Sequence, residues 1–366
     1  MVRLLREFVR MESPSFDKEA IDRLGKKIAS EWRQRGAKVQ VLHQKERGNH
    51  LRVELCLGQG RPEGQILVLG HLDTVYPRGT LENMPFRIAR GSAWGPGTFD
   101  MKGGLVLALC AVDALRKMAV RPRKRLVFLW TSDEEIGSKT SRRFIEGEAR
   151  RSNAVLVLEP ALGAAGRLKT RRKGIGGIEI VVTGRAAHAG VNPDAGVNAV
   201  HELALQIVRL TRLNNRRRGI TVQTNVIEGG TVSNVVAARA RAQVDVRYIR
   251  AADAPGLRRK LRSLRPILNG ARVEVRGGLD RPPLERTAAV RDLFRKAQAL
   301  ARELGFTLEE GSTGGGSDGN LTAALGVPTL DGLGVIGGGA HSLREHIRIR
   351  ALPERAALLA ALLATL

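Results

Sequence analysis

Aromatic residues make up only 4% of this chain. Stacking platforms for single-stranded nucleic acid are therefore scarce. Only two of the 366 residues are cysteine, which excludes a disulfide framework as the source of stability. Cys56 and Cys110 each fall in an apolar run, LRVELCLG and LVLALCAV, and are expected to be buried, reduced thiols. No apolar run approaches the roughly 20 residues that span a bilayer. The opening segment MVRLLREFVRMESPSFDKEA has helical apolar spacing with acids mixed in. It lacks the continuous apolar stretch and small-residue cleavage site of an export signal, so a cytoplasmic protein with no membrane partner is expected. Acids are also short: 36 Asp and Glu against 61 Lys and Arg, a formal net charge of +25. Basic clusters recur at 121–125, 170–173, 214–218 and 257–266. That balance suits a polyanion. With so few aromatics, nucleic-acid binding is the remote alternative, and in either case a positive field draws anionic substrates.

What is present is ordinary for a globular protein: 43% hydrophobic and 27% charged residues, in a chain long enough to bury a large core. Apolar, β-branched runs bounded by turn residues predict strands at 51–58, 65–73, 124–135 and 153–160, with a helix over about 104–118 among them. Such alternation predicts an α/β layer with a mostly parallel sheet. The pattern then changes to a strand at 174–184, a helix at 196–213, strands at 220–228 and 235–249, a helix at 253–266 and a strand at 271–277. The order βαββαβ is the ferredoxin-like unit. Helix and strand alternation resumes after 281–283, with a helix over 287–304, a glycine-rich turn at 311–319 and a last helix at 353–365. The reading is one α/β domain built from 1–173 and 283–366, interrupted by an inserted domain at 174–282.

The chemistry gathers at strand ends. The run ILVLG ends in His71-Leu72-Asp73, the run LVFLW leads to Asp133-Glu134-Glu135, and the run AVLVL leads to Glu159. Open α/β sheets bind ligands at the carboxyl ends of their strands. Asp100, just before a helix start, and His341, after a glycine cluster, join them. Carboxylates converging in one crevice need neutralising, and bound divalent cations would do it. Imidazole and carboxylate ligands without thiolates suit zinc, with cobalt or manganese as close alternatives. The five candidates His71, Asp100, Glu135, Glu159 and His341 would serve two metals if one carboxylate bridged.

The strings GHLDTVYPRGTLENMPF, AWGPGTFDMKGG, TSDEEIGS, GRAAHAG, NVVAARARAQVDVRY, TGGGSDGN and GAHS resemble, in order and spacing, the zinc metallopeptidases related to glutamate carboxypeptidase. That family also holds aminoacylases, acetylornithine deacetylases and succinyl-diaminopimelate desuccinylases. The resemblance implies a zinc-peptidase-like α/β catalytic domain, its mixed sheet flanked by helices, and an inserted ferredoxin-like lid and dimerisation domain. It implies two zinc ions per subunit. Asp100 would bridge them, with its peptide bond to Met101 cis. His71 and Glu159 would complete one site, Glu135 and His341 the other. Asp73 would orient His71, and Glu134 would be the general base. His188 would reach the partner subunit's active site in a homodimer formed through the inserted domain. Asn234, Arg247 and the glycine loop with Gly315 and Gly316 would bind the substrate carboxylate. Arg167 and Arg281 fall near basic positions of glutamate-preferring members.

The expected activity is hydrolysis of a small anionic peptide or N-acyl amino acid bearing a free α-carboxylate, with glutamate preferred as leaving group. The alternative is a deacylase of acetylornithine or succinyl-diaminopimelate type.

Overall fold

The computed structural model describes residues 1–58 and 60–366. The chain divides into two compact units. The first comprises Met1–Arg171, Arg286–Thr313 and Ser317–Leu366; the second comprises Arg172–Glu285 and Gly314–Gly316.

In the first unit, six strands form one sheet in the order Lys38–Leu42, His50–Leu55, Arg125–Thr131, Gln65–His71, Ala154–Val157, Thr329–Leu330. Strand Gln65–His71 pairs in parallel with Arg125–Thr131 and with Ala154–Val157, and Thr329–Leu330 continues in parallel. Strand His50–Leu55 is antiparallel to both its neighbours, so the sheet is mixed. The parallel centre is buried on both faces because successive side chains point to opposite sides. Ile66 and Val68 enter one core with Trp32, Leu105 and Leu359. Leu67 and Leu69 enter the other with Ile145, Ala149 and Leu321.

Helix Lys18–Gln34 starts at Asp17, whose carboxylate accepts the Ala20 N–H at 2.9 Å, satisfying one of the free donors of the first turn. Helix Gly103–Lys117 is buried along most of its length and packs against helix Leu352–Thr365. Its start lies against the strand that leads to Glu159. A Cβ on Gly104 would stand 2.4 Å from the Leu158 carbonyl oxygen, so only glycine permits that approach.

A small sheet pairs Gly337–Gly338, His346–Arg348, Ser92–Trp94 and Arg87–Ala89 in that order. The sequence reading missed it, because segments of two or three residues show no periodicity. The opening segment forms helix Val2–Val9, followed after a turn by Lys18–Gln34. Cys56 is exposed and Cys110 half-buried, both as free thiols, which corrects the expectation of two buried cysteines. Strand His50–Leu55 ends with Leu55 in the core, and Cys56 is the first residue beyond it. No helix among the described residues is long and apolar enough to cross a membrane.

The second unit runs strand Gly174–Thr183, helix Ala199–Thr211, strands Thr221–Gly229 and Arg239–Tyr248, helix Ala254–Arg262, strand Arg272–Arg281. Its sheet is antiparallel throughout, ordered 221–229, 239–248, 174–183, 272–281, which is the ferredoxin-like arrangement. Its core joins Ile178, Ile180, Val244 and Val246 of the strands to Leu203, Leu210, Leu257 and Leu261 of the helices. The unit's two chain ends are stitched together: Arg172 N–H donates to the Leu284 carbonyl at 3.0 Å, and Leu284 N–H returns the bond at 3.1 Å.

Candidate metal centre

His71 closes the central strand and is 1% exposed. Its Nδ1 lies 2.9 Å from the Asp73 main-chain oxygen and 3.4 Å from that residue's carboxylate. Its Nε2 faces Asp100 Oδ1 at 3.2 Å and Glu159 Oε1 at 3.5 Å. Asp100 sits in the turn before helix Gly103–Lys117, and its peptide bond to Met101 is cis. Its second oxygen, Oδ2, lies 3.5 Å from His341 Nε2, which is 3.3 Å from Glu135 Oε2. The two oxygens of Asp100 thus face different imidazoles. Ligand atoms of His71, Asp100 and Glu135 cluster within 4.8 Å, as do those of His71, Glu134 and Glu159. All of these residues belong to the first unit.

The Asp73 carboxylate is fully buried and serves the neighbouring glutamates. Oδ1 accepts the Glu134 N–H at 3.3 Å; Oδ2 accepts the Glu135 N–H at 3.2 Å and the Ser15 hydroxyl at 2.8 Å. Main chain, more than carboxylate, holds the His71 ring.

Burial works to discharge His71, but hydrogen bonds to Asp100, Asp73 and Glu159 outweigh it and hold the imidazole well above its ordinary range. Burial alone would raise Asp100; the two imidazoles hold it well below the carboxylate range. Hydrogen bonds to Asp100 and Glu135 push His341 up to about 10. Burial raises Glu135. Four carboxylates outnumber two imidazoles here, and Glu135 Oε1 is buried without a hydrogen-bond partner. An excess of acceptors with an orphaned carboxylate oxygen fits divalent cations, and the nitrogen and oxygen donors suit zinc-type ions.

Glu345 is a participant that the sequence reading passed over. Its buried carboxylate accepts the N–H groups of Gly97, Phe99 and Asp100 at 3.1, 2.7 and 2.8 Å. Burial raises its pKa, while the Tyr76 hydroxyl and those N–H groups oppose the rise. Tyr76 donates to the Ser342 carbonyl at 2.9 Å. The loop of Asp100 and the loop of His341 are thereby tied together. The only signal in the sequence was an acid four residues after His341.

The remaining candidates are dispersed. His188 is exposed in the second unit, and its Nδ1 accepts the N–H groups of Gly190 and Val191 at 3.2 and 3.1 Å. A ring nitrogen that accepts carries no proton, so the proton of the neutral ring sits on Nε2. The Asn234 carbonyl accepts the Ala189 N–H at 2.9 Å, tying those two loops of the unit together. Arg247 turns its fork to Asp245, with Nε and Nη2 at 2.8 and 2.7 Å, and its Nη1 donates to the Gly314 carbonyl at 3.3 Å. The carbonyls of Gly315 and Gly316 accept from Arg172 at 3.2 and 2.9 Å. Arg281 is buried at the end of strand Arg272–Arg281. Arg167, in the first unit, follows the turn after Glu159, and its Nε is buried without a partner.

A mixed α/β sheet with this cluster at its strand ends defines a metal-dependent hydrolase. The model of peptidase family M20/M25/M40 matches residues 67–365. Carboxypeptidase G2 of Pseudomonas sp. (strain RS-16) is 32% identical, over 97% of this chain and 86% of that protein. Among solved structures, an aminopeptidase PepT from Bacillus cereus superposes with a TM-score of 0.81 at 22% identity, covering 99% of this chain and 97% of the other. A Bacillus subtilis protein described as a dinuclear metal-binding peptidase of the M20 family gives 0.72 at 15% identity, covering 99% and 96%. The chain belongs to peptidase family M20/M25/M40 and is a metallopeptidase of that family.

Proposed function

We propose that this enzyme hydrolyses the amide bond joining an acyl or peptidyl group to an amino acid with a free α-carboxylate, glutamate being the preferred leaving amino acid, and that two zinc ions per subunit serve the reaction. The observation that carries the metal reading is the cluster itself: an orphaned, buried Glu135 Oε1 among acids that outnumber the imidazoles. The relation to a carboxypeptidase supports a substrate with a free α-carboxylate, and the glutamate preference rests on the resemblance of GHLDTVYPRGTL to glutamate carboxypeptidases. Asp100 would bridge the two ions, since each of its oxygens faces a different histidine. His71 and Glu159 would then hold one ion, Glu135 and His341 the other. Cobalt or manganese suits the same donors.

Bound there, the cations supply charge that polarises the scissile carbonyl and acidifies water. The chain's residues do the rest. Glu134 takes a proton from the attacking water and hands it to the leaving nitrogen. The Asp73 carboxylate keeps Glu134 in place through its main-chain N–H. The partner subunit's His188 would offer an Nε2–H to the developing oxyanion, a kind of donor typically worth about 2.7–4 kcal/mol. Arg247 exchanges Asp245 for the substrate carboxylate, helped by Asn234 and by the glycine loop at Gly315 and Gly316. Arg167 and Arg281 are candidates for a second carboxylate.

A homodimer formed through the second unit belongs to the same proposal. It is supported by the edge strand Thr221–Gly229, where Ile227 is 58% exposed, and by Val208 at 53% on helix Ala199–Thr211. Unpaired edges beside apolar surface favour association.

Product analysis tests the reading. Zinc-loaded enzyme given peptidyl-glutamate, N-acetylornithine and N-succinyl-diaminopimelate should release glutamate fastest. Faster release of acetate or succinate would replace the carboxypeptidase with the deacylase.

A further inference from the structure

The first unit holds a concavity of about 370 Å³ whose lining includes none of the acid and imidazole cluster. That volume lies in the range of small-molecule sites. It lies at the foot of the hairpin that carries His341, where the Arg348 N–H donates to the Ile336 carbonyl at 2.8 Å. Part of its lining is apolar, from Phe306, Leu308 and Ile336; the rest includes Arg348, Arg350 and Arg355.

Arg355 is 2% exposed. Its Nε donates to the Gly334 carbonyl at 2.9 Å, its Nη1 to Gly166 at 3.1 Å, and its Nη2 to Gly332. A guanidinium has five N–H groups, so one on each Nη is left over. Arg348 donates once, to the Ala164 carbonyl at 3.1 Å. Among the described residues none of the three arginines forms an ion pair with a carboxylate. Glu354, exposed, is the one acid in the lining. Burial draws Arg355 down to about 10, with Glu354 opposing, so the group remains a cation at neutral pH. A buried cation served only by carbonyls is poorly compensated.

The lining discriminates among ligands. An inorganic oxyanion leaves the apolar wall uncovered, and a neutral apolar molecule leaves the guanidiniums unpaired. We propose that this cavity is a binding site for a small organic carboxylate, its apolar body against Phe306, Leu308 and Ile336 and its carboxylate between Arg348, Arg350 and the spare N–H groups of Arg355. Planar forks suit a carboxylate with paired hydrogen bonds. The site stands apart from the hydrolytic reading and survives its failure.

Calorimetric titration of the metal-free protein tests it, with 4-phenylbutyrate, which has no amide bond to cleave, and with inorganic phosphate. Phenylbutyrate should saturate one site and bind at least about tenfold tighter than phosphate. Arg348→Gln/Arg350→Gln should weaken phenylbutyrate at least about tenfold, and Phe306→Ala should weaken phenylbutyrate but not phosphate. Arg355 anchors three carbonyls, so it is left intact. Arg258→Gln, on an exposed arginine of the second unit, controls for the general positive field and should change affinity by less than about twofold. Absence of saturable binding, full affinity in the double variant, equal loss in Arg258→Gln, or phosphate binding as tightly as phenylbutyrate would each overturn the proposal.

Discussion

Single residues divide the labour of the cluster. Glu134 and Glu135 are adjacent, yet the proposed roles differ: one moves protons and the other holds metal. Glu134→Gln keeps the size and the main-chain anchor to Asp73 but removes the base. It should retain both zinc ions by elemental analysis while kcat falls roughly 10²–10⁴-fold. Unchanged turnover would move the base elsewhere. Glu345 acts at one remove, since it touches the backbone of Asp100 and not its carboxylate. Glu345→Gln turns one acceptor oxygen into a donor facing main-chain N–H groups. Zinc affinity, measured by competition with a chelating dye, should fall about 10–100-fold. A variant that melts lower but binds zinc as tightly as the parent would leave Glu345 a purely structural part. His71, Asp100, Glu135 and Glu159 were legible because each lies close to an apolar run or a helix start, where chain direction alone says which edge it reaches. Glu345 was not, because an acid in HSLREHI looks like surface until the fold folds it under Asp100.

At the scale of elements, the strand ends depend on close helix packing. Gly104→Ala places a methyl against the Leu158 carbonyl oxygen and the Met101 side chain. Denaturant titration should show a loss of about 1–3 kcal/mol, the usual cost of overpacking, and a smaller loss would mean the helix start can shift. A second tie is Arg286 to Glu310, at 2.7 and 2.6 Å. It joins the segment before helix Ala288–Glu303 to strand Glu310–Thr313. Arg286 holds the Glu310 carboxyl below its ordinary range, with burial opposing and Thr170 assisting. A depressed folded pKa contributes stability that is fully present above the unfolded value near 4.3 and is lost as pH falls through the lower folded value. The stability gap of Arg286→Met, up to about 1 kcal/mol for a half-exposed pair, should therefore be present at pH 7 and close below about pH 4. A gap that persisted in acid would assign the loss to packing. Long elements were readable because the central strands are buried on both faces and the helices show a clear 3.6-residue stripe. The strands Gly337–Gly338 and Ser92–Trp94 were not, because two or three residues are too few to show a period.

For the whole molecule, the formal charge of +25 acts on encounter more than on chemistry. For an anionic substrate, kcat/KM should fall with rising ionic strength while kcat stays nearly constant; equal decline in both would point to inhibition by the salt. Chelation should abolish activity and lower the melting temperature together, and zinc should restore both. The paired ends of the second unit carry a further consequence. Because Arg172 and Leu284 clasp each other, that unit leaves the chain and returns to it at a single seam. Residues 172–285 therefore leave and re-enter the chain at neighbouring positions, and only the short segment Gly314–Gly316 of the unit comes from elsewhere in the sequence. Genetic exchange between relatives that replaced it would carry His188, Asn234 and Arg247 across together, as one set.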